Sequence, residues 1–531
     1  MKKSISFLVV FILTLSYVFA QDQRDMLKEY EEFRKNSVQK YNDFRDQANA
    51  EYAEFMRQAW KEFGAEPPIP VPPSPDPIQP PVFDPDEEPS SDSIPIREVL
   101  PPVKRITPPQ PVIPIPVKPI SVLPLPKMTP VDSIPIRETL PPVEPISPSK
   151  PVIPISVDPI SVPTLPELAP VDVPLFSFVF YGTECRVRLG NEQKIYLKDI
   201  SEATIADAWE ILSAPSYNPV IADCLHLRDE LKLCDWGYYQ LLKTIADKYY
   251  GVSHSNESVL FQMFILTQSG YKIRIARTDN SLSALLPFDH TVFSYAYLLI
   301  DGIKFYVIDK SLLNSRFYVC DYSFPKEQTF SMQINSLPEF SHASTATRTL
   351  ATVRYPIKVE IETNQNLIDF LNSVPLSSEW NLYANSSLSE QIKEQLYPVL
   401  KDNISGKSLS NAANLLLNFV QAAFVYQTDE VQFGYERPLF GDETFHYPAC
   451  DCEDRSILFS ILVKDLLGLD VVLLHYPNHL ATAVRFNEDV EGDFLVIDDQ
   501  KYIICDPTYL GANIGREMSS CKNKKPRVIK I

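Results

Sequence analysis

The chain has 531 residues, more than one ordinary domain needs. Its formal net charge of −19 excludes nucleic acid as the expected partner, because phosphates recruit Lys and Arg, but it does not separate an enzyme from a binder. Eight cysteines are too sparse for a disulfide framework, although an exported chain could oxidise them.

Met1-Lys2-Lys3 and the apolar run Ser4–Ala20 read as a secretory signal peptide over residues 1–20, with an uncleaved anchor as the alternative. No later stretch reaches the ~18 apolar residues of a membrane span. The mature chain is therefore expected to be secreted or held in the periplasm or cell envelope, with no transmembrane segment. Residues 21–65 carry an 11-residue repeat. Tyr30, Tyr41, Tyr52 and Phe63 fall in register, as do Phe33, Phe44 and Phe55; Ser37, Ala48 and Ala59 complete the stripe. Such spacing keeps one apolar face on a nearly straight helix. It predicts a single amphipathic helix over 24–63 that packs on the chain's own domains or self-associates. The polar face is as acidic as it is basic, which counts against a membrane-surface role.

Gly64 ends that helix, and residues 66–174 form a proline-rich linker. Of the 48 prolines, 35 lie between Pro67 and Pro174. Two 40-residue units, starting at Asp92 and Asp132, match at 27 positions. Proline fixes φ and removes the amide donor. The expectation is an extended spacer at ~3.1 Å per residue, holding the C-terminal part on the order of 200–300 Å from the helix. The Ile and Val between the prolines offer docking as an alternative. Ser93 and Ser133, each between Asp and Ile, resemble an O-glycosylation sequon of some exported bacterial proteins.

From Leu175 the composition turns globular. Phe176–Tyr181 and Lys272–Ala276 alternate like strands, whereas Tyr238–Tyr249 and Ala412–Tyr426 repeat like helices. The class is α+β, in two domains over 175–350 and 351–531.

The chemistry concentrates in His446–Phe459, which reads H-Y-P-A-C-D-C-E-D-R-S-I-L-F. Glu453 and Asp454 suit a first helical turn and Gly468 its end, so Cys452 stands at a helix start, where a thiolate is stabilised. D-V-V-L-L then reads as a buried strand. After a turn at Pro477–Asn478, H-L-A-T-A-V-R-F begins a second strand with His479. A hairpin about Asp498–Asp499 ends at Asp506. A thiolate, an imidazole that shares its proton and a carboxylate that holds the imidazole are the groups thiol catalysis needs. Two other readings stand beside this one. A zinc site would use Cys450, Cys452 and one of His446, His475 or His479, though C-x-C is a poor chelating spacing. A purely structural Cys/His/Asp set is the other.

D-C-E-D at 451–454, H-L-A-T-A-V at 479–484 and C-D-P-T-Y at 505–509 resemble the transglutaminase-like superfamily, in particular its bacterial cysteine-protease branch. The likeness covers roughly 411–511. It implies a nucleophile at Cys452, a base at His479 and an acid at Asp506. The family's usual glycine two residues before the cysteine is Cys450 here, which is either a bystander or a redox partner of Cys505 or another thiol. An oxyanion needs preorganised donors. The Cys452 amide is one candidate, and Gln432 is the second, with Gln427 and Tyr435 as rivals. Some bacterial members bind calcium through carboxylates near this point, which raises Asp451 and Glu453 as ligands; otherwise no cofactor is required.

Residues 254–276 align with 452–474 without a gap, and 297–309 with 494–506. The alignment predicts two tandem papain/transglutaminase-like domains, each a helix packed on an antiparallel sheet, behind the long helix and proline-rich spacer. In the first copy His254 replaces Cys452, Ser294 is the expected stand-in for His479, and Asp309 keeps the acid. The leading reading is a hydrolase that cuts a peptide or isopeptide bond in a protein or cell-envelope polymer. The alternative is a catalytically inactive binding or assembly protein.

Overall fold

The computed structural model describes residues 35–36, 39–40, 42–63, 68–78, 174–251, 256–312 and 315–531. The signal peptide, Tyr30, Phe33, Ser37 and Tyr41, the proline repeats with Ser93 and Ser133, and His254 lie outside the described residues. Among the described residues no helix is long and apolar enough to cross a membrane.

Residues 42–56 are helical, but the helix does not run on to 63. Lys61–Phe63 is a strand, paired antiparallel with Phe317–Cys320. The open edge of that strand offers unpaired backbone groups, and pairing with them replaces the last helical turn. Tyr52, Ala53, Met56 and Trp60 are buried. The Tyr52 ring lies 4.7 Å from Trp209, 5.2 Å from Tyr322 and 4.9 Å from Phe324. Arg57 bonds Asp207 and Glu210 on the same neighbouring helix. This face of the helix is therefore spent on the chain's own first half, while Phe44 stays 64% exposed. The expected separation of helix from globular part does not occur. Apolar burial draws the helix onto the sheet, and residues 68–78 dock alongside it (below).

The architecture is mixed α+β, with two large antiparallel sheets and three two-stranded ones among the described residues. The first follows the buried helix Asn256–Gln268. Its spatial order is Lys61–Phe63, Phe317–Cys320, Arg274–Arg277, Leu282–Pro287, Ile303–Val307, Tyr297–Ile300. The second follows the helix Cys452–Leu467. Its order is Phe494–Ile497, Gln500–Cys505, His479–Arg485, Asp470–Tyr476, Arg527–Lys530. Counted onward from the helix, both sheets place their strands fifth, first, second, fourth, third; the first adds Lys61–Phe63 outside its fifth.

The helix Cys452–Leu467 is buried continuously from Cys452 to Val463: Ile457–Val463 is apolar but for Ser460, and the charged first turn is buried with it. Asp454 starts it, accepting the amides of Asp451 at 3.2 Å and Leu439 at 2.8 Å. Gly468 ends it in the left-handed conformation, φ +64, that glycine adopts without strain.

Candidate active site

His479 opens its strand immediately after the Pro477–Asn478 turn. Asn478 has φ +65, and proline followed by a left-handed residue suits a type II turn. The His479 strand pairs with Gln500–Cys505, Thr482 opposite Cys505, and the Thr482 hydroxyl donates to the Cys505 carbonyl. That register puts Asp506 beside His479. The imidazole Nε2 lies 2.8 Å from Asp506 Oδ2, and both residues are buried. Asp506 Oδ1 accepts the amides of Thr508 at 2.9 Å and Tyr509 at 3.1 Å, so the acid is held on both oxygens. His479 Nδ1 is buried with no partner.

Cys452 is the first residue of its helix. Ser456, one turn on, donates to the Leu480 carbonyl at 2.9 Å and ties that helix to the residue after His479. The Cys452 thiol donates to Glu453 Oε2 at 3.2 Å and is 1% exposed. Burial first, then the charge of Asp451, pushes this thiol well above its ordinary range, against a backbone hydrogen bond at Leu480 that pulls it down. The helix start therefore does not yield a thiolate in this arrangement. Desolvation and neighbouring carboxylates outweigh the dipole.

Those carboxylates come from two places in the sequence. Asp429 and Glu436 join Asp451, Glu453 and Asp454, and burial raises all five. The Glu436 carboxyl is pushed up to about 7. Asp429 Oδ1, Glu436 Oε1, Asp451 Oδ1 and Glu453 Oε1 are buried without hydrogen-bond partners. Oxygens of Asp429, Asp451 and Glu453 lie within 4.8 Å of one another. Among the described residues this is the one group spaced to hold a metal ion, and it contains no Cys or His. His446 Nδ1 pairs with Thr363 and His475 packs on Trp380, so neither joins a zinc set with Cys450 or Cys452.

The Gln432 carboxamide pairs with the backbone of Ala449. Oε1 accepts the Ala449 amide at 3.1 Å and Nε2 donates to the Ala449 carbonyl at 3.2 Å. It clamps the strand that leads into Cys452 and spends one of its two N–H donors there. The Gln427 amide donates to the Cys450 carbonyl at 3.3 Å, and Tyr435 packs toward Phe433. All eight cysteines are free thiols. Cys450 is buried beside Arg455, and burial lifts its thiol to about 11.

Sequence reasoning missed Gln421. Its Nε2 donates to the carbonyls of Asp506 at 3.0 Å, Tyr509 at 2.8 Å and Ala512 at 3.1 Å. Gln421 is one of three amides, with Asn414 and Asn418, in the otherwise apolar run Ala412–Tyr426, and that was the available signal. In the first half, the turn Asp279–Asn280 is flanked by Thr278 and Ser281, with the Thr278 amide bonded to the Ser281 carbonyl at 2.8 Å. Since Ala276 pairs with Ser283 as Leu474 pairs with Ala481, Ser281 occupies the His479 position. Ser294 is not the counterpart; it lies in a later loop at φ +70 and accepts from Lys310 Nζ at 2.8 Å. No family model, curated protein or solved structure matches the chain.

Proposed function

We propose that the chain is an exported thiol hydrolase, a cysteine peptidase or amidase of the transglutaminase-like kind, acting on a peptide or isopeptide bond in a protein or cell-envelope polymer. The observation that carries this reading is the imidazole. His479 commits Nε2 to Asp506 and keeps a buried, unpartnered Nδ1, while Ser456 ties the Cys452 helix to the adjoining residue. In the reaction the thiol leaves Glu453 and gives its proton to Nδ1 as the sulfur attacks the carbonyl carbon. The developing oxyanion takes the Cys452 amide. Collapse breaks the C–N bond, and Nδ1 returns the proton to the leaving amine. Water then adds to the thioester with Nδ1 as base, releasing the acid and restoring the thiol. Asp506 holds the ring's tautomer throughout.

The common strand order supports reading the first half as a second copy of the fold. Ser281 stands there in place of the base, which suits a structural or substrate-binding role. The family resembled also implies calcium. The residues fit it, since hard carboxylate oxygens are calcium ligands and four of them lack partners. Asp429, Asp451 and Glu453 would hold the ion, with Glu436 at the rim. Bound there, it would supply positive charge to a cluster that repels itself.

The second reading, a non-catalytic binding or assembly protein, is favoured by the inaccessible, neutral thiol of Cys452. Iodoacetamide labelling at neutral pH separates the two. In a hydrolase, His479→Ala lowers the labelling rate at Cys452 by about tenfold or more. An unchanged rate overturns the hydrolase reading. Peptides released from an envelope preparation by the wild type and not by Cys452→Ala would identify the bond.

A further inference from the structure

Residues 68–78 lie against both halves of the molecule. Ile69 exchanges both backbone hydrogen bonds with Tyr297, at 2.8 and 3.0 Å, on the outer strand of the first sheet. The Pro72 carbonyl accepts the Ser294 amide at 2.8 Å. Pro75 and Ile78 are buried, and the Ile78 amide donates to Glu436 Oε2 at 3.2 Å. The Glu436 carboxyl in turn meets Glu453, the acceptor of the Cys452 thiol. The strap thus starts on a sheet edge and ends two carboxylates away from the nucleophile.

Its composition suits that path. A proline-rich segment is extended before it binds, so docking it orders little. The only amides in 68–78 are those of Ile69, Val71, Ser74, Asp76 and Ile78. The first and last of these make its outermost anchoring bonds. The recognition is an added strand at one end and a carboxylate-bound amide beside a buried aliphatic side chain at the other.

We propose that residues 68–78 are a cover: they fill in cis a groove that takes an extended, proline-bearing segment, and they must leave before a substrate reaches Cys452. The inference rests on Cys452 being the reactive centre. It accounts for the Cys452 burial without making the site dead, and it assigns to the groove a ligand that enters extended, offers an amide to Glu436 and seats an apolar side chain where Ile78 sits.

The test uses the full chain and reads iodoacetamide modification of Cys452 by mass spectrometry. In one variant Gly and Ser replace residues 68–78 at equal length. In a second, I69P/I78P, only the two anchoring amides are deleted. Each is made with His479 and with H479A. A cover predicts that removing the strap raises labelling about tenfold or more in both backgrounds, the scale of two lost backbone hydrogen bonds. A synthetic peptide of residues 66–80, at about millimolar concentration, should restore protection. If a variant with an unchanged thermal midpoint and faster amide exchange at Ser294 and Tyr297 labels at the wild-type rate, the cover is overturned. If labelling rises equally but never depends on His479, the cover stands and the hydrolase reading falls.

Discussion

The two sheets can be compared at one hairpin. Between its first and second strands the first sheet turns through Asp279–Asn280, flanked by Thr278 and Ser281. The second turns through Pro477–Asn478, flanked by Tyr476 and His479. Each fourth strand then leads to an acid whose Oδ1 holds the turn that follows. Asp309 takes the amide and hydroxyl of Ser311, and Asp506 takes the amides of Thr508 and Tyr509. Asp506 also engages the His479 imidazole. A common arrangement of strands therefore does not fix the side chains it carries. It supplies two places side by side, and the residue that ends each hairpin, Ser281 or His479, differs between the sheets.

Substitutions at those paired places give the largest expected effect. Asp506→Asn should lower turnover by roughly 10³–10⁴-fold, through loss of the imidazole's tautomer, with Cys452 still present. Asp309→Asn and Ser281→Ala should leave turnover within about twofold, since surface turns tolerate change. Equal losses in both halves would break the comparison and put the chemistry between the two sheets.

Stability gives the next two. Each half has a buried ion pair, Arg274–Glu327 at 3.2 Å and Arg437–Glu443. Glu327→Gln and Glu443→Gln should each cost about 3–5 kcal/mol in urea unfolding, because each leaves a buried guanidinium unpaired. Gln421→Leu should cost about 3 kcal/mol, since three buried carbonyls lose their donor. If it unfolds the protein no more easily yet slows turnover, Gln421 acts through the position of Asp506 alone.

The smallest effect is a pH dependence that differs between the halves. In the first, Ser201 hydrogen bonds hold Asp199 down to about 2. In the second, burial raises Asp442 to about 6, against the Ser389 amide and hydroxyl it accepts. A carboxyl raised on folding contributes stability that is complete below its unfolded pKa, near 4, and is lost as pH rises through the folded value. Relative to wild type, Asp442→Asn should therefore gain about 2 kcal/mol of unfolding free energy between pH 4 and pH 7. A flat difference across that range would show that the carboxyl is hydrated rather than desolvated.

Much of this was legible because it is local. Gly468 as a helix stop, Pro477–Asn478 as a turn and Asp506 after an apolar arm each follow from neighbours in sequence. Together they place His479 next to Asp506. The 198-residue offset between S-V-L-F and S-I-L-F likewise points to the shared strand order. What was not legible depends on encounters over long sequence distances. Burial, the largest cause of the thiol's upward shift, exists only in the folded chain, and Glu436 adds its charge there. Gln432 also pairs with the Ala449 backbone, and spacing alone cannot show such a clamp. Ser294 looked right by its distance in sequence from Asp309, but sheet register, not residue count, decides which side chains face each other. Lys61–Phe63 leaves the helical repeat because a strand edge outbids local periodicity.

One consequence of the helix at 42–56 remains. It was expected to stand far from the globular part, with the prolines as a rod between them. Because the helix packs on Trp209 and its neighbours, and because Leu175 begins a hairpin on the same body, the described residues before 79 and after 173 belong to a single mass. A chain cut between Ile78 and Pro174 would therefore stay together: the N-terminal fragment would travel with the sheets through gel filtration and separate only on denaturation.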